Sequence, residues 1–416
     1  MKPQPRIVFV DNSLDGFRRD RMQLVQAARD LGLEIHVAAP SSRTRSDGGH
    51  DGFVYHSIPM SRKGTSMWKE PATVLALLRL YRNLRPSLVH HLRLKPVLYG
   101  SLAASLAGVP AVVNTLTGLG FIFTDQSEKT VPLRKWVEMG CRRAFRHWNL
   151  RVIFQNPDDR AVFIRNGIVS GEQAAVIKGS GVDLSVFRPS PEPEGVPVVI
   201  LASRMLWDKG VAQFVEAARI LKSEGVQARF ALVGEPDPDN PATIPYEQLE
   251  IWQESGEVEW WGLQDGPNMP AVLARSHIVC LPSYREGIPR ILIEAAASGR
   301  PIVTTDAPGC RELVRPGENG IIVPSRDTAS LVNALRFLIE NPETRIAMGN
   351  NNRQVAVQEF SQELVIAQFM AVYRDLLRAA SVGPGAPSQA PRGAKEKLHA
   401  IPGSALPAQL RSQGRS

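Results

Sequence analysis

Short apolar runs alternate with longer amphipathic stretches along most of the chain. The run Arg6–Val10 predicts a buried strand, and residues 17–31 place apolar side chains at helical spacing before Gly32 ends the pattern. A second strand is predicted over Glu34–Ala38. Because strand and helix then keep alternating, the pattern predicts an α/β protein with parallel, doubly wound sheets. Further strands are predicted from residue 111 and at residues 152–156, 198–202, 229–234 and 277–282.

The alternation breaks at the Pro- and Glu-rich segment Ser190–Gly195 and restarts at Val198. A chain of 416 residues is also long enough for two domains. We therefore predict domains over residues 1–189 and 190–360, followed by a last helix over residues 361–380. Residues 381–416 are rich in Gly, Pro, Ser, Ala and Gln, a composition typical of disorder.

Charge is divided unevenly between the two predicted domains. Residues 1–189 contain 27 Lys and Arg against 15 Asp and Glu, whereas residues 190–380 contain 17 against 25. A basic first domain favours contact with an anionic surface or substrate. No helix-turn-helix, zinc-finger or aromatic ribonucleoprotein pattern occurs, so we expect no nucleic-acid partner.

Composition and motifs exclude several other classes. The three cysteines are far apart in the sequence, which favours reduced thiols over disulfides or metal ligands. The N-terminus has no signal-peptide pattern, and the most apolar window, Val97–Val113, is too interrupted for a membrane span. Neither G-x-G-x-x-G in the first turn nor a P-loop motif occurs. We therefore expect a cytoplasmic protein that needs no metal or cofactor.

The most informative stretch follows the strand predicted at 277–282. Glu286 lies in a Gly-bearing turn, and Pro289–Gly299 has the Pro and Gly expected at the two ends of a helix. Glu294 lies within this helix, with seven residues between the two acids. A helix N-terminus attracts a diphosphate, and carboxylates accept hydrogen bonds from sugar hydroxyls. The stretch therefore suits a sugar nucleotide, although alone it also fits a βα unit with two solvated glutamates.

Together with the residues that follow it, up to Pro324, this stretch resembles the donor-binding core of the retaining glycosyltransferases of family 4. These enzymes have the GT-B fold and an E-x7-E signature, whose acids match Glu286 and Glu294. The resemblance covers most of residues 5–380 and is stronger in the second half. It implies two Rossmann-like domains that face each other across a cleft, with the acceptor domain first, the donor domain second, and a last helix that crosses back to the first domain. Other matching positions are Gly287, Pro289, Gly299, Pro301, Asp306, Gly309, Glu312, Gly317 and Gly320.

The resemblance also implies roles for individual residues. Arg204 and Lys209 match the family's diphosphate-binding cations, which stabilise the charge that the leaving group gathers. Glu286 would orient the donor sugar, and Glu294 would hold the ribose. The other implied donor contacts are Gly287, Ile288, Pro289, Gly262, Leu263, Gly16 and Thr117.

The first half resembles the capsule and O-antigen branch of the family. Thr117 precedes the loop Gly118–Phe121, at a position where many members carry a histidine; its hydroxyl can bind a sugar but cannot become a cation. Gly16 is either a functional or an ordinary turn glycine. Acceptor contacts are predicted for His90, His91 and Arg93, with a structural role at a strand end as the alternative for each histidine.

Two segments combine basic and aromatic residues, one over residues 60–69 and one over residues 133–148. The second has the pattern of a helix that can lie on an anionic bilayer. In the alternative interpretation, its aromatic residues belong to the core and its cations are solvated. With the charge of the whole first half, the pattern favours peripheral contact with the inner face of the cell membrane.

The sequence thus predicts a retaining, metal-independent glycosyltransferase. The preferred donor is a UDP-sugar, N-acetylhexosamine or hexose, and the preferred acceptor is a polyprenyl-diphosphate-linked saccharide for capsule, O-antigen or exopolysaccharide. Three alternatives stay open: a soluble enzyme that glycosylates a small molecule, a GT-B sugar-nucleotide 2-epimerase, and a catalytically silent protein that binds glycans or a partner enzyme.

Overall fold

The computed structural model of the chain describes residues 4–41, 51–60, 69–118, 131–264 and 266–383. The first half forms a parallel sheet in the order β3-β2-β1-β4-β5-β6-β7. Its strands are β1 (Arg6–Val10), β2 (Glu34–Ala39), β3 (Val54–Ser57), β4 (Leu88–Leu92), β5 (Val112–Leu116), β6 (Leu150–Phe154) and β7 (Ala174–Val176). Its helices are α1 (Leu14–Asp30), α2 (Lys69–Leu84), α3 (Leu94–Ala107), α4 (Val131–Ala144) and α5 (Pro157–Arg165).

The second half forms a second parallel sheet in the order β10-β9-β8-β11-β12-β13. Its strands are β8 (Val198–Ala202), β9 (Arg229–Val233), β10 (Glu259–Trp260), β11 (Ile278–Leu281), β12 (Ile302–Thr305) and β13 (Gly320–Val323). The helices that follow in chain order are α6 (Val211–Ser223), α7 (Tyr246–Glu254), α8 (Met269–Ala274), α9 (Arg290–Ala297), α10 (Thr328–Glu340), α11 (Pro342–Glu359) and α12 (Gln362–Val382).

The predicted α/β class with parallel, doubly wound sheets is confirmed. Central strands such as β4 and β8 are buried along their whole length, which explains their continuous apolar runs. In the first sheet β1 lies between β2 and β4, so that Ile7 is opposite both Ile35 and Leu88. In the second sheet β8 lies between β9 and β11 in the same way.

In each sheet the strand order reverses at one point, between β1 and β4 and between β8 and β11. Ligands of open parallel sheets bind outside the carboxyl ends of the strands at such a point. The loops that follow these strands meet in one cleft, because residues after β1, β4, β8 and β11 line the same cavity. The fold therefore predicts the place of the site before any side chain is considered.

The last helix, α12, packs on the first sheet although it follows the second sheet in the chain. Phe369 and Tyr373 belong to the same buried cluster as Ile7 and Phe9. The helix begins beside the connection between the halves, where the amide of Gln362 donates to the carbonyl of Val182. Helix α11 ends at Glu359, and from there the chain returns to the first half.

Three predicted boundaries are corrected by the structure. Helix α1 begins at Leu14 because the Ser13 hydroxyl accepts from the amide of Gly16 and caps the helix, so Gly16 lies in a helix rather than a turn. Pro289 is the cap of α9 rather than its first residue. Helix α12 continues to Val382, past residue 381, where the tail was predicted to begin.

Three sequence predictions lie wholly or largely outside the described residues. They are the basic-aromatic segment at 60–69, of which residues 61–68 are not described, the glycine loop after Gly118, and the tail from residue 384. Within the ranges that the structure describes, no helix is both long and apolar enough to span a bilayer.

Candidate active site

The cleft between the two sheets has a volume of about 730 Å³. Both halves line it: Asp11, Arg93 and Thr117 from the first, and Arg204, Lys209 and the α9 region from the second. The predicted donor residues Glu286, Ile288, Pro289, Glu294 and Leu263 also line it. The structure thus brings together, from loops of both sheets, most of the residues that the sequence marked as a site.

Lys209 and Glu286 form an ion pair inside the cleft, with Nζ and Oε1 2.5 Å apart. Lys209 is buried, and the Ser283 hydroxyl donates to the same carboxylate oxygen at 3.2 Å. The next residue, Gly210, has a φ of 73°, and a Cβ there would overlap the carbonyl oxygen of Pro282. Glycine therefore lets the loop after β8 pack tightly on the loop after β11, which holds the cation beside the acid.

Arg204 lies nearer the mouth of the cleft and is exposed. Its Nη1 donates to Asp237 Oδ2 at 2.7 Å, across the loops that follow β8 and β9. An exposed pair of this kind contributes little to stability, so the guanidinium can change partners at little cost. The cation is thus available to an anion that enters the cleft.

Glu294 is buried about one turn into α9 and contacts Arg290, whose Nε donates to its Oε1 at 2.6 Å. Arg290 also reaches the first half, where its Nη1 donates to Asp20 Oδ1 at 2.7 Å. Burial raises the pKa of Glu294 above its ordinary value, and the positive charge of Arg290 opposes that shift. The charged form of the Glu294 carboxylate is therefore stabilised by Arg290.

The two halves touch through backbone at Thr117 and Gly287. A Cβ on Gly287 would overlap the carbonyl oxygen of Thr117 and the side-chain oxygen of Gln155. The Asn156 amide donates to the carbonyl of Gly287 at 2.9 Å. Thr117 therefore lies beside the turn that carries Glu286.

Arg93 lies at the carboxyl end of β4 with a φ of 73°, and its Nε is 3.1 Å from Asp11 Oδ1. Burial raises the pKa of Asp11, while the charges of Arg93 and Arg21 oppose the shift. Gly16 lies under Arg93, where a Cβ would come within 2.8 Å of its Nη2. Gly16 is not among the residues that line the cleft, and its amide is used by the helix cap.

His90 and His91 lie inside the first sheet and have no exposed surface. His90 bonds Tyr373 and Thr115 through its two ring nitrogens, at 2.6 and 2.7 Å, and His91 bonds Asn114 at 2.7 Å. Burial lowers the pKa of both, that of His91 to about 4. Neither lines the cleft, so the prediction of acceptor contacts is wrong for both in this conformation, and the structural alternative accounts for them.

Gly262 and Leu263 follow β10 at the far end of the cleft. Gly262 has a φ of 65° and accepts a hydrogen bond from the amide of Gly234. Leu263 is 66% exposed and lines the cleft, so it offers an apolar surface to a ligand. Gly262 is not among the residues that line the cleft, and donor contact stays a prediction for both positions.

Several charged residues of the cleft were missed by the sequence analysis. Asp11, Asp20 and Arg21 follow the first strand, and Arg290 begins α9. The sequence did contain one indication for Arg290. A cation in the first turn of a helix opposes the helix dipole, which is unfavourable unless another interaction compensates. Within the described ranges, no group of three or more His, Cys, Asp or Glu is arranged to hold a metal ion.

Two facing, doubly wound sheets with a charged cleft between them define a GT-B architecture, and solved structures agree. The Anabaena protein HepE in complex with UDP matches with a TM-score of 0.70 at 19% identity, covering 89% of this chain and 99% of that one. The model of glycosyl transferases group 1 matches residues 185–355, and that of the glycosyl transferase 4-like family matches residues 6–155. The chain therefore belongs to the group 1 glycosyltransferases, family 4, and is a retaining glycosyltransferase.

Two curated relatives match nearly the whole chain. One is the N,N'-diacetylbacillosaminyl-diphospho-undecaprenol alpha-1,3-N-acetylgalactosaminyltransferase of Campylobacter jejuni, at 27% identity over 90% of this chain and 99% of the relative. The other is the UDP-Gal:alpha-D-GlcNAc-diphosphoundecaprenol alpha-1,3-galactosyltransferase of Escherichia coli, at 25% identity over 88% and 95%. The predicted resemblance to the branch that builds lipid-linked surface glycans is thereby confirmed.

Proposed function

We propose that this glycosyltransferase moves a hexose or N-acetylhexosamine from a UDP-sugar to a saccharide carried on a polyprenyl diphosphate. The product would enter capsule, O-antigen or exopolysaccharide synthesis. The names of both curated relatives support a lipid-diphosphate acceptor, and one of them names a UDP-sugar donor. The observation that carries the proposal is the partly buried Lys209–Glu286 pair inside a cleft that both halves line.

The second half would bind the donor. Lys209, Arg204 and the amides at the start of α9 would hold the diphosphate, because all three lie on the cleft and carry positive charge or partial charge. Glu286 would accept hydrogen bonds from the donor sugar, and Glu294 would accept them from the ribose. Leu263 would lie against the base.

Transfer with retention would follow as a front-face displacement. The bond from the anomeric carbon to the β-phosphate oxygen breaks while the acceptor oxygen bonds that carbon on the same face. The acceptor proton passes to the leaving phosphate oxygen. Lys209 and Arg204 stabilise the charge that gathers on this group, and they act most strongly where water is excluded.

The test is a screen for release of nucleoside diphosphate from a panel of sugar nucleotides, with chelator present and with or without a short polyprenyl-diphosphate saccharide. We expect release from a UDP-sugar that rises when the lipid acceptor is added. Glu286→Ala should lower kcat/KM far more than the same change at Glu250, an exposed acid on α7. Wild-type activity in Glu286→Ala would refute the assignment, and equal release without the lipid would point to a small soluble acceptor.

We also propose that the first half contacts an anionic membrane through α3 and α4. Trp136, Met139 and Leu106 are 68%, 52% and 55% exposed. Lys135 and Arg143 are exposed on the same helix, α4, which packs on α3. Exposed apolar and basic side chains on two packed helices are the combination that binds an anionic bilayer surface.

Binding to vesicles that contain phosphatidylglycerol tests this surface. At low salt the protein should sediment with these vesicles. Trp136→Ser should weaken binding severalfold, because it removes apolar surface that the bilayer would bury on binding. The matched control is Ile251→Ser, which removes an exposed apolar side chain, 57% exposed, from the acidic half. Equal binding by the two variants would contradict the proposed surface.

A further inference from the structure

Arg290 stands between the donor cleft and a second cavity of about 530 Å³. The second cavity lies behind the cleft, among α1, the connection around Val182 and the start of α12. The two cavities share part of their walls. The residues that line both are Arg19, Asp20, Arg21, Ser180, Gly266 and Arg290.

The guanidinium of Arg290 joins the two halves of the molecule. Its Nε holds Glu294 in its own helix at 2.6 Å, and its Nη1 holds Asp20 Oδ1 in α1 at 2.7 Å. The same Nη1 also donates to the carbonyl of Arg19 at 3.3 Å. One side chain thus links the carboxylate proposed to hold the ribose with the first helix of the opposite half.

The position of this arginine is unfavourable for its own helix. Arg290 is the first residue of α9, where a positive charge opposes the helix dipole. Side chains that break a local rule are expected where function compensates. The two acids supply the compensation, because their charges raise the pKa of Arg290 against the effect of its burial.

We propose that Arg290 is a positioning residue that couples occupation of the donor site to contact between the two halves. It orients the Glu294 carboxylate toward the ribose while its other nitrogen docks on Asp20. A donor that binds Glu294 therefore favours the arrangement in which α1 lies against α9. This inference rests on the ribose contact of Glu294 in the proposed function.

A simple ion pair between the halves would not have this effect on the donor. The structure contains such a pair in Arg311 and Asp158, whose Nη2 and Oδ2 are 2.6 Å apart. Arg311 also joins the two halves, but it contacts neither Glu294 nor the cleft lining. Arg311→Gln is therefore the matched control for the loss of one such pair.

The experiment is calorimetric titration of UDP into the full chain and into five variants. We expect Arg290→Gln to weaken UDP binding about tenfold, as for loss of a charged hydrogen-bond partner. Asp20→Asn should weaken it severalfold although Asp20 lies in the other half. The double variant should be no weaker than Arg290→Gln, because both changes remove the same bridge. Arg311→Gln should bind within about twofold of the parent.

The dependence on pH gives a second readout, which a merely structural role would not change. Burial raises the pKa of Glu294, and the charge of Asp20 adds to that shift. Without Arg290, only the weaker influence of Arg19 opposes it. UDP binding by Arg290→Gln should therefore weaken more steeply than that of the parent as pH falls toward 5. Circular dichroism and thermal unfolding confirm that each variant is folded.

Two kinds of failure can be told apart through Glu294→Gln. If this variant binds UDP as tightly as the parent, the ribose contact is wrong and the inference falls with it. If Glu294→Gln weakens binding while Asp20→Asn does not, the ribose contact stands and the link between the halves is overturned. Additive effects of Asp20→Asn and Arg290→Gln, or an equal loss in Arg311→Gln, would also overturn it.

Discussion

The two halves build their sides of the cleft by different means. In the second half, backbone packs on backbone: a Cβ on Gly210, Gly234 or Gly309 would overlap the carbonyl oxygen of Pro282, Ser203 or Gly287. In the first half, long side chains form the wall, with Arg93 on Asp11 and Arg21 over the ring of Phe369. Backbone contacts fix a shape, whereas side chains can change partners. This difference fits the proposal that the second half binds the diphosphate and that the first half offers an adaptable surface to the acceptor.

The strongest test of the rigid side is Lys209→Ala. Loss of this cation removes a fixed charge at the proposed diphosphate and leaves Glu286 without its closest partner, so kcat/KM should fall roughly a hundredfold to a thousandfold. The measurement is donor turnover at saturating acceptor and varied donor. Lys222→Ala is the control, because Lys222 is an exposed lysine of the same half. A fall of less than about threefold in Lys209→Ala would remove the cation from the mechanism.

The sequence predicted the rigid side well because its chemistry is local. Glu286, Pro289 and Glu294 fall within one strand, turn and helix, so their spacing alone places them together. The first side was predicted poorly for the opposite reason. Asp20 and Arg290 are far apart in the chain, and only the packing of the halves brings them within 2.7 Å.

The histidines show a second limit of sequence reasoning. His90 and His91 lie in the short apolar run Leu88–Leu92, a pattern that fits either a cleft or a core. The strand order of the sheet places both histidines in the core, because β4 is a central strand that is buried throughout. Likewise the sequence predicts a turn at Gly16, whereas the Ser13 hydroxyl caps a helix that already includes this residue.

The next largest difference between the two halves is expected in their stability at acidic pH. Burial holds the pKa of His91 at about 4, against about 6.5 for a histidine in an unfolded chain. The folded state therefore stays neutral while the unfolded state gains a proton below pH 6.5. The stability from this site is fully present above that pH and is lost as pH falls toward 4, by about 3 kcal/mol. Burial also lowers the pKa of His90, which adds to the loss.

The second half has a weaker acid sensitivity from histidine. Its described histidine, His277, has its pKa lowered by burial, but the charge of Glu192 opposes that shift. Hydrogen exchange, measured half by half after incubation between pH 7 and 4, should show the first half opening at the higher pH. His91→Gln should flatten the dependence of its unfolding free energy on pH. An unchanged slope in this variant would contradict the assignment to His91.

The smallest effect is expected where the two sides meet, at Gly287. Its φ is not in the left-handed region, so Gly287→Ala adds no backbone strain, but the new Cβ would overlap the carbonyl oxygen of Thr117 in the opposite half. The halves must separate slightly, and kcat/KM should fall about tenfold with the melting temperature nearly unchanged, because misplacement at a reacting centre costs rate before stability. Gly171→Ala is the matched control, since a Cβ there meets nothing within 4 Å. If both alanine variants keep the parent activity, catalysis tolerates a wider separation of the two halves at Thr117 and Gly287. Rigid backbone packing would then matter only within the second half.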